Sequence, residues 1–427
     1  MRERPGYGTV CTMNTEHQSI QDPTITGVSR RTLLRSAAGA GAGLVAGGLA
    51  TTALPAVASA ASNLRTRKQR QLIALFNKAA ADLLTPGATL VVRSPDLRIA
   101  TTFGSGVLQG PRRLTLDRHF RVGSVTKTMT ATVILQLCQR GDISLDDPVS
   151  RFRSDVPNGD QITIENLLTM HSGLYSYTSD LWLNQQQDAH PRRSFRPQRL
   201  LEIAFKARPH PVPGQEFEYC NTNTVLLGLI AQQVDGRPLG RQLQERLWQR
   251  VGMHDTIYPG PTFAGLPDPH PRGYMYGTNV STIDTERLPP RQLERARNGL
   301  LFPNDVTIAN PSWAGAAGAV ISTSDDIARW VRALCDGSLL NRRWQRRRLD
   351  SVRPVNPQDP SAKYGLGIAQ FGPMFGHTGE IPGFQTFAAY DPKRQLTMVI
   401  WCNLKASPEG APTATTIARD LIGPLYG

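Results

Sequence analysis

The chain has 427 residues, with 48 Lys and Arg against 34 Asp and Glu, and it is 40% hydrophobic and 19% charged. That length allows about two or three domains and a sizeable core, which excludes a disulfide-built small fold; five cysteines in such a chain are too few to build one. The one long apolar stretch is Gly/Ala-rich and N-terminal, which excludes a multispanning membrane protein, and the net charge of +14 is carried almost wholly by arginine.

Residues 1–60 read as an export address. Ser29-Arg30-Arg31-Thr32-Leu33-Leu34 is a twin-arginine pattern, followed by an apolar run from Ala37 to Ala53 and two A-x-A triplets, Ala56-Val57-Ala58 and Ala58-Ser59-Ala60. The glycine content makes that run a poor bilayer span. The product is expected in the periplasm, at the cell wall or outside the cell. Cys138, Cys220, Cys335 and Cys402 remain after cleavage. They are expected as buried free thiols, because twin-arginine passengers fold in a reducing compartment.

Beyond the leader, Leu72, Leu75, Phe76, Ala79 and Leu83 recur at helical spacing until Pro86-Gly87 stops them. Leu90 to Val92 and Leu97 to Phe103 flank Ser94-Pro95-Asp96 as a hairpin. A helix follows from Ser124 to Gln139, ended by Gly141-Asp142. Helices are expected at Ile164 to Met170, Arg199 to Lys206, Thr224 to Val234 and Asp325 to Cys335, between Pro-rich loops. The arginines at 342, 343, 346, 347 and 348 read as a solvated helix face rather than a nucleic-acid patch, since no nucleic-acid motif accompanies them. Strands return at Tyr364 to Gln370, Gln385 to Tyr390 and Leu396 to Cys402, and a helix from Thr413 to Leu421 ends the pattern. The fold class is therefore α/β (α+β), with residues 61–140 and 336–427 as one domain and 141–335 as a mainly helical insertion.

Three short motifs carry chemistry. Ser124 and Lys127 are one turn apart at a helix start, so the amine can approach the hydroxyl. A serine needs an adjacent base to become a nucleophile, and burial favours the neutral amine that can act as one. Tyr219-Cys220-Asn221 follows on a loop entering a helix: a tyrosine near cations can serve as general acid or base, and the amide can orient a substrate. Gly376-His377-Thr378-Gly379 precedes a strand pattern. Any one of these is common; the ordered trio is specific. No Cys or His pair has metal-ligand spacing, so no metal or other cofactor is expected. No Gly-x-Ser-x-Gly elbow is present, which disfavours an α/β-hydrolase lipase.

With these motifs in the order Ser-x-x-Lys, Tyr-x-Asn, His-Thr-Gly, the sequence resembles the penicillin-recognising serine hydrolases, and most of all their D-alanyl-D-alanine carboxypeptidase and class C β-lactamase-like branch. Similar stretches include Ile164 to Leu174, Pro213 to Tyr219, Gly252 to Thr256 and Gly318 to Thr323, so the likeness spans about residues 85–427. The resemblance implies a β-lactamase/transpeptidase-like fold: an antiparallel sheet flanked by N- and C-terminal helices and interrupted by the insertion. It implies that Ser124 forms an acyl-enzyme, that Lys127 and Tyr219 shuttle its proton, and that Asn221, His377, Thr378 and Gly379 bind substrate. The backbone N–H groups of Ser124 and Glu380 would form the oxyanion hole. Expected partners are peptidoglycan-type peptides or small esters and amides, with β-lactams as acylating ligands, no nucleic acid, no integral membrane domain, and a monomeric state. Alternatives are an esterase, a D-amino acid amidase or aminopeptidase, a β-lactamase, or a non-catalytic penicillin or peptidoglycan sensor.

The pattern departs from the family in two places. His377 replaces a lysine, and Glu380 stands where many relatives carry Ser or Thr. D-Ala-D-Ala peptides and penicillins end in a carboxylate, which an acid beside the oxyanion strand opposes. If Glu380 faces the cleft, an amine-bearing or neutral substrate is favoured; if it faces solvent, the carboxypeptidase reading stands.

Overall fold

The computed structural model describes residues 53–207, 212–356 and 358–427. The twin-arginine run, the apolar run up to residue 52 and Cys11 lie outside the described residues. The apolar stripe of residues 72–83 belongs to a helix, Ala53–Asp82, which also includes the two A-x-A triplets. Leu72, Phe76 and Ala80 are its buried face, and Leu83, also buried, lies just past its end. They pack with Ile417, Ala418 and Leu421 of the last helix, Thr413–Tyr426, against one face of the sheet.

That sheet has eight strands, all pairing antiparallel. From one edge they run Arg98–Gly104, Gly87–Arg93, Leu396–Cys402, Phe384–Asp391, Met374–Ile381, Ala369–Phe371, Asp359–Tyr364 and Arg353–Asn356. The central strands Phe384–Asp391 and Leu396–Cys402 are buried throughout because helices cover both faces. On the inner face lie Val125–Arg140 and Ser324–Asp336, with Trp330 fully buried and Phe120 stacked on Trp401 at 4.7 Å between ring centres. The long connection between Arg140 and Ser324 is mainly helical, including Asn221–Asp235 and Pro197–Lys206. The architecture is the expected antiparallel sheet flanked by the N- and C-terminal helices, both on one face, with a helical insertion.

Three local expectations need correction. Tyr364 to Gln370 is not one strand. It is the end of Asp359–Tyr364 and the start of Ala369–Phe371, separated by a turn in which Gly365 N–H donates to the Ile368 carbonyl. Gly367 takes φ +64° there, and an added Cβ would lie 2.2 Å from Ala131 Cβ on the helix beneath. Second, Gly376 to Gly379 does precede the strand Phe384–Asp391, but it also sits inside a strand of its own, Met374–Ile381. Two glycines hid the pattern, and both are there for close approach: a Cβ on Gly376 would meet the Ala388 carbonyl oxygen at 2.0 Å, and one on Gly379 the Val122 oxygen at 1.9 Å. Third, the arginine run is a helix, Arg342–Asp350, but Arg348 is fully buried rather than solvated. Its Nη2 donates to Thr132 Oγ1 at 2.7 Å and to the Thr128 carbonyl at 3.3 Å on the helix that carries Lys127.

The four cysteines are buried and free, as expected. Burial pushes the Cys220 thiol up to about 11 and the Cys138, Cys335 and Cys402 thiols up to about 12, so they are inert as nucleophiles at neutral pH. No helix among the described residues is long and apolar enough to cross a membrane.

Gly367→Ala tests how tightly the turn is pressed on the helix below. Both the left-handed backbone and the Ala131 contact oppose a methyl group, so a loss of roughly 2 kcal/mol or more is expected in denaturant unfolding. An unchanged midpoint would show that the turn adapts freely.

Candidate active site

Ser124 sits where a strand-to-helix turn is forced into a tight geometry. Gly123 takes φ +54°, and a Cβ on it would lie 2.6 Å from Glu380 N, so only glycine lets the strand Met374–Ile381 come this close. Ser124 itself is the residue before Val125–Arg140, in right-handed helical conformation. Its hydroxyl is therefore presented at a helix start, half-buried, next to the strand that carries His377 to Glu380.

One turn on, Lys127 is 1% exposed. Its Nζ is 2.9 Å from Ser124 Oγ, 2.7 Å from Asn221 Oδ1 and 2.9 Å from the Ala317 carbonyl oxygen. It also stands 4.9 Å from the centre of the Tyr219 ring. Three acceptors satisfy an ammonium with its three N–H bonds. They also satisfy a neutral amine, which donates to Asn221 and Ala317 and accepts from the Ser124 hydroxyl with its lone pair. Burial pushes the Lys127 amine down to about 7, with a smaller opposing effect from the Cys220 thiol. The amine can thus take or return a proton near neutral pH without moving its partners.

Asn221 opens the helix Asn221–Asp235. Its Oδ1 accepts from Lys127, its Nδ2 donates to Thr178 Oγ1 at 3.0 Å, and its backbone N–H donates to Ser176 Oγ at 3.2 Å. The amide is thereby fixed with its oxygen toward the lysine. Tyr219, two residues earlier, is half-buried, and its ring centre lies 6.1 Å from that of His377 and 6.2 Å from that of Tyr364.

His377 is 3% exposed on the inner side of its strand. Its Nδ1–H donates to the Thr378 carbonyl, which leaves Nε2 to accept from the Tyr364 hydroxyl at 3.2 Å. Burial first, and then the neighbouring Lys127, push its imidazole down to about 3, so it is neutral. A neutral ring puts no second positive charge beside the amine. Thr378 is half-buried, and Gly379 lies against the Ser124 turn: a Cβ on it would be 3.4 Å from Ser124 N.

All eight residues singled out by sequence fall within this one neighbourhood. Sequence reasoning missed Thr178, which orients Asn221, the Ala317 carbonyl, which holds Lys127, and Tyr364, which fixes the His377 tautomer. Tyr364 heads the Tyr-Gly-Leu-Gly run whose glycines mark the turn; the other two contacts leave no local signal, because one is backbone and the other a common threonine. Glu380 is half-buried and does not stand alone. Its Oε1 is 3.6 Å from Lys405 Nζ, and Lys405 is also ion-paired with Glu286. Among the described residues, no group of three or more His, Cys, Asp or Glu is placed to hold a metal ion.

Comparison with known proteins agrees with the geometry. The β-lactamase family profile matches residues 72–421. The chain is 25% identical over 332 residues to the D-alanyl-D-alanine-carboxypeptidase/endopeptidase AmpH of Escherichia coli (strain K12), covering 73% of this chain and 77% of that protein. It is 23% identical over 321 residues to the putative penicillin-binding protein PbpX of Bacillus subtilis (strain 168), covering 75% of this chain and 71% of that protein. Among solved structures, the D-stereospecific amidohydrolase from Streptomyces sp. superposes with a TM-score of 0.69 at 29% identity, covering 82% of this chain and 98% of that one. A serine, a buried lysine and a tyrosine gathered beside the strand Met374–Ile381 of an antiparallel sheet, on a chain matched along most of its length, place this protein in the β-lactamase family of serine hydrolases.

Proposed function

We propose that the protein is an exported hydrolase that cleaves D-configured amide bonds in short, cell-wall-type peptides through an acyl-enzyme on Ser124. The observation that carries the reading is the 2.9 Å contact between Ser124 Oγ and a Lys127 Nζ stripped of solvent. In the acylation step the Ser124 proton passes to Lys127 as Oγ bonds to the substrate carbonyl carbon. The carbonyl oxygen takes up the negative charge facing the backbone N–H groups of Ser124 and Glu380, each such donor being worth about 3 kcal/mol of barrier. Collapse breaks the C–N bond, and the proton returns through Lys127 and Tyr219 to the leaving nitrogen. Water then attacks the ester by the reverse route and frees Ser124. Asn221 keeps the amine aimed, while His377, Thr378 and Gly379 line the strand along which a substrate backbone lies.

The stereochemistry is taken from two likenesses, to AmpH and to the Streptomyces amidohydrolase. A D-alanyl-D-alanine carboxypeptidase follows from the ordered motifs and the first of these; a D-amino acid amidase is favoured by the second and by the carboxylate of Glu380 beside the oxyanion strand. Both share the acyl-enzyme step, and β-lactams would enter it as slowly released acyl donors. The twin-arginine leader supports export, and the chain is proposed to act as a monomer with 141–335 as its insertion domain.

Two measurements test the reading. Incubation with a p-nitrophenyl ester or a penicillin should add one acyl mass to Ser124, and Ser124→Ala should remove both the adduct and at least about 10³ of the hydrolysis rate. Retained turnover in that variant would end the acyl-enzyme mechanism. Because the base is the neutral form of Lys127, kcat/KM for a neutral ester should climb as pH rises through about 7 and level off above it. A profile flat from about pH 5 to 8 would remove Lys127 as the base.

A further inference from the structure

The group formed by Glu286, Glu380 and Lys405 has no part in the proton transfer just described, yet it borders the same strand. Side-chain exposures are 18% for Glu286, 33% for Glu380 and 11% for Lys405, so the cluster is largely withdrawn from water. Its members come from three separate segments: the loop before the helix Pro290–Arg297, the strand Met374–Ile381, and the chain just past Leu396–Cys402. Two carboxyl groups share one ammonium. Lys405 is thereby committed, and it is no free counter-ion for a substrate anion.

Glu380 is also the residue whose backbone N abuts Gly123, beside Ser124. A carbonyl oxygen held between the Ser124 and Glu380 N–H groups therefore lies within one side chain's reach of the Glu380 carboxyl group. When a peptide is cut at its last bond, the terminal carboxyl carbon is three bonds from the scissile carbon, within about 4 Å of it. Burial raises the Glu380 carboxyl group and Lys405 opposes that rise, so a free acid at that point meets a pair of poorly solvated carboxyl groups whose ammonium is already shared.

Resting on the acyl-enzyme reading above, we propose that Glu380, braced by Lys405 and Glu286, selects against a free carboxylate on the leaving group. The substrates of the site are then D-configured peptides and amides whose leaving group is neutral or cationic: a carboxamide, an amine, or the continuing chain of a longer peptide. Glu380 and Glu286 set this specificity; they do not perform the chemistry.

The test is a matched pair of activated substrates, N-acetyl-D-alanyl thioglycolate and N-acetyl-D-alanyl thioglycolamide, which differ only in the charge of the leaving group. The full-length protein is expected to cleave the amide form with a kcat/KM at least about tenfold above the acid form. Glu380→Gln should shrink that ratio to below about threefold, since the repelling charge is gone. Glu286→Gln, remote from the oxyanion backbone, should shrink it as well by freeing Lys405, and it serves should the first variant fail to fold. Equal or faster cleavage of the acid form by the unmodified protein, or a ratio untouched in both variants, overturns the proposal. Loss of any Ser124 adduct with either thioester would instead defeat the acyl-enzyme reading, so the two failures are distinct.

Discussion

The structure depends on placing one lysine amine out of water. Lys127 is buried with its Nζ held by a serine hydroxyl, an asparagine oxygen and a backbone carbonyl, and these come from three separate elements. An isolated ammonium in such a place carries a large desolvation penalty, which the protein relieves by letting the group shed its proton near pH 7. Fold and proposed chemistry are thereby coupled: the packing that builds the interior around this helix is also what brings the amine into the range its proposed role as a base requires. His377 belongs to the same balance, because a charged imidazole there would hold Lys127 neutral by repulsion rather than by burial, and its own burial keeps it uncharged.

The helix that presents Ser124 and Lys127 is fixed from behind as well as from the cleft. Trp330 Nε1 donates to Thr128 Oγ1 at 2.8 Å, Thr130 Oγ1 donates to the Ala316 carbonyl at 2.8 Å, and the buried Arg348 binds Thr128 and Thr132. A threonine-rich helix interior, unfavourable for helix propensity alone, is explained by these contacts. They set the rotation of the helix about its axis, and that rotation decides where the amine one turn inside the helix lies. On the cleft side, Gly123 and Gly379 let two backbones meet at distances that any side chain would prevent.

Much of this was legible in the sequence, for identifiable reasons. The helices Val125–Arg140 and Asn221–Asp235 announce themselves by apolar spacing and by Gly141 and Gly236 in left-handed caps. The three ordered motifs around Ser124, Tyr219 and His377 were visible because their residues are chemically distinctive. What escaped was set by tertiary contact. Met374–Ile381 did not read as a strand, since two of its eight residues are glycines placed for backbone approach rather than for strand propensity. Arg348 did not read as buried, because nothing in a run of arginines marks the one that faces inward. The direction of Glu380 depends on Lys405 and Glu286, both remote in sequence, so local alternation could not fix it.

The charge composition now acquires a structural meaning. Seven of the 48 basic residues are lysines, and two of these are buried: Lys127 beside the serine and Lys405 beside Glu380 and Glu286. Arginine keeps its proton under all ordinary conditions, whereas a lysine amine shifts readily with its surroundings. The two buried amines are treated in opposite ways. Lys127 has neutral acceptors and is pushed down to about 7; Lys405 has two carboxyl neighbours, which outweigh its burial and raise it. Identical side chains thus become the amine proposed to carry a proton and a fixed cation, and the difference lies in whether carboxylates reach them. The first role does not transfer to arginine: a guanidinium at 127 would stay protonated and could not receive a serine proton.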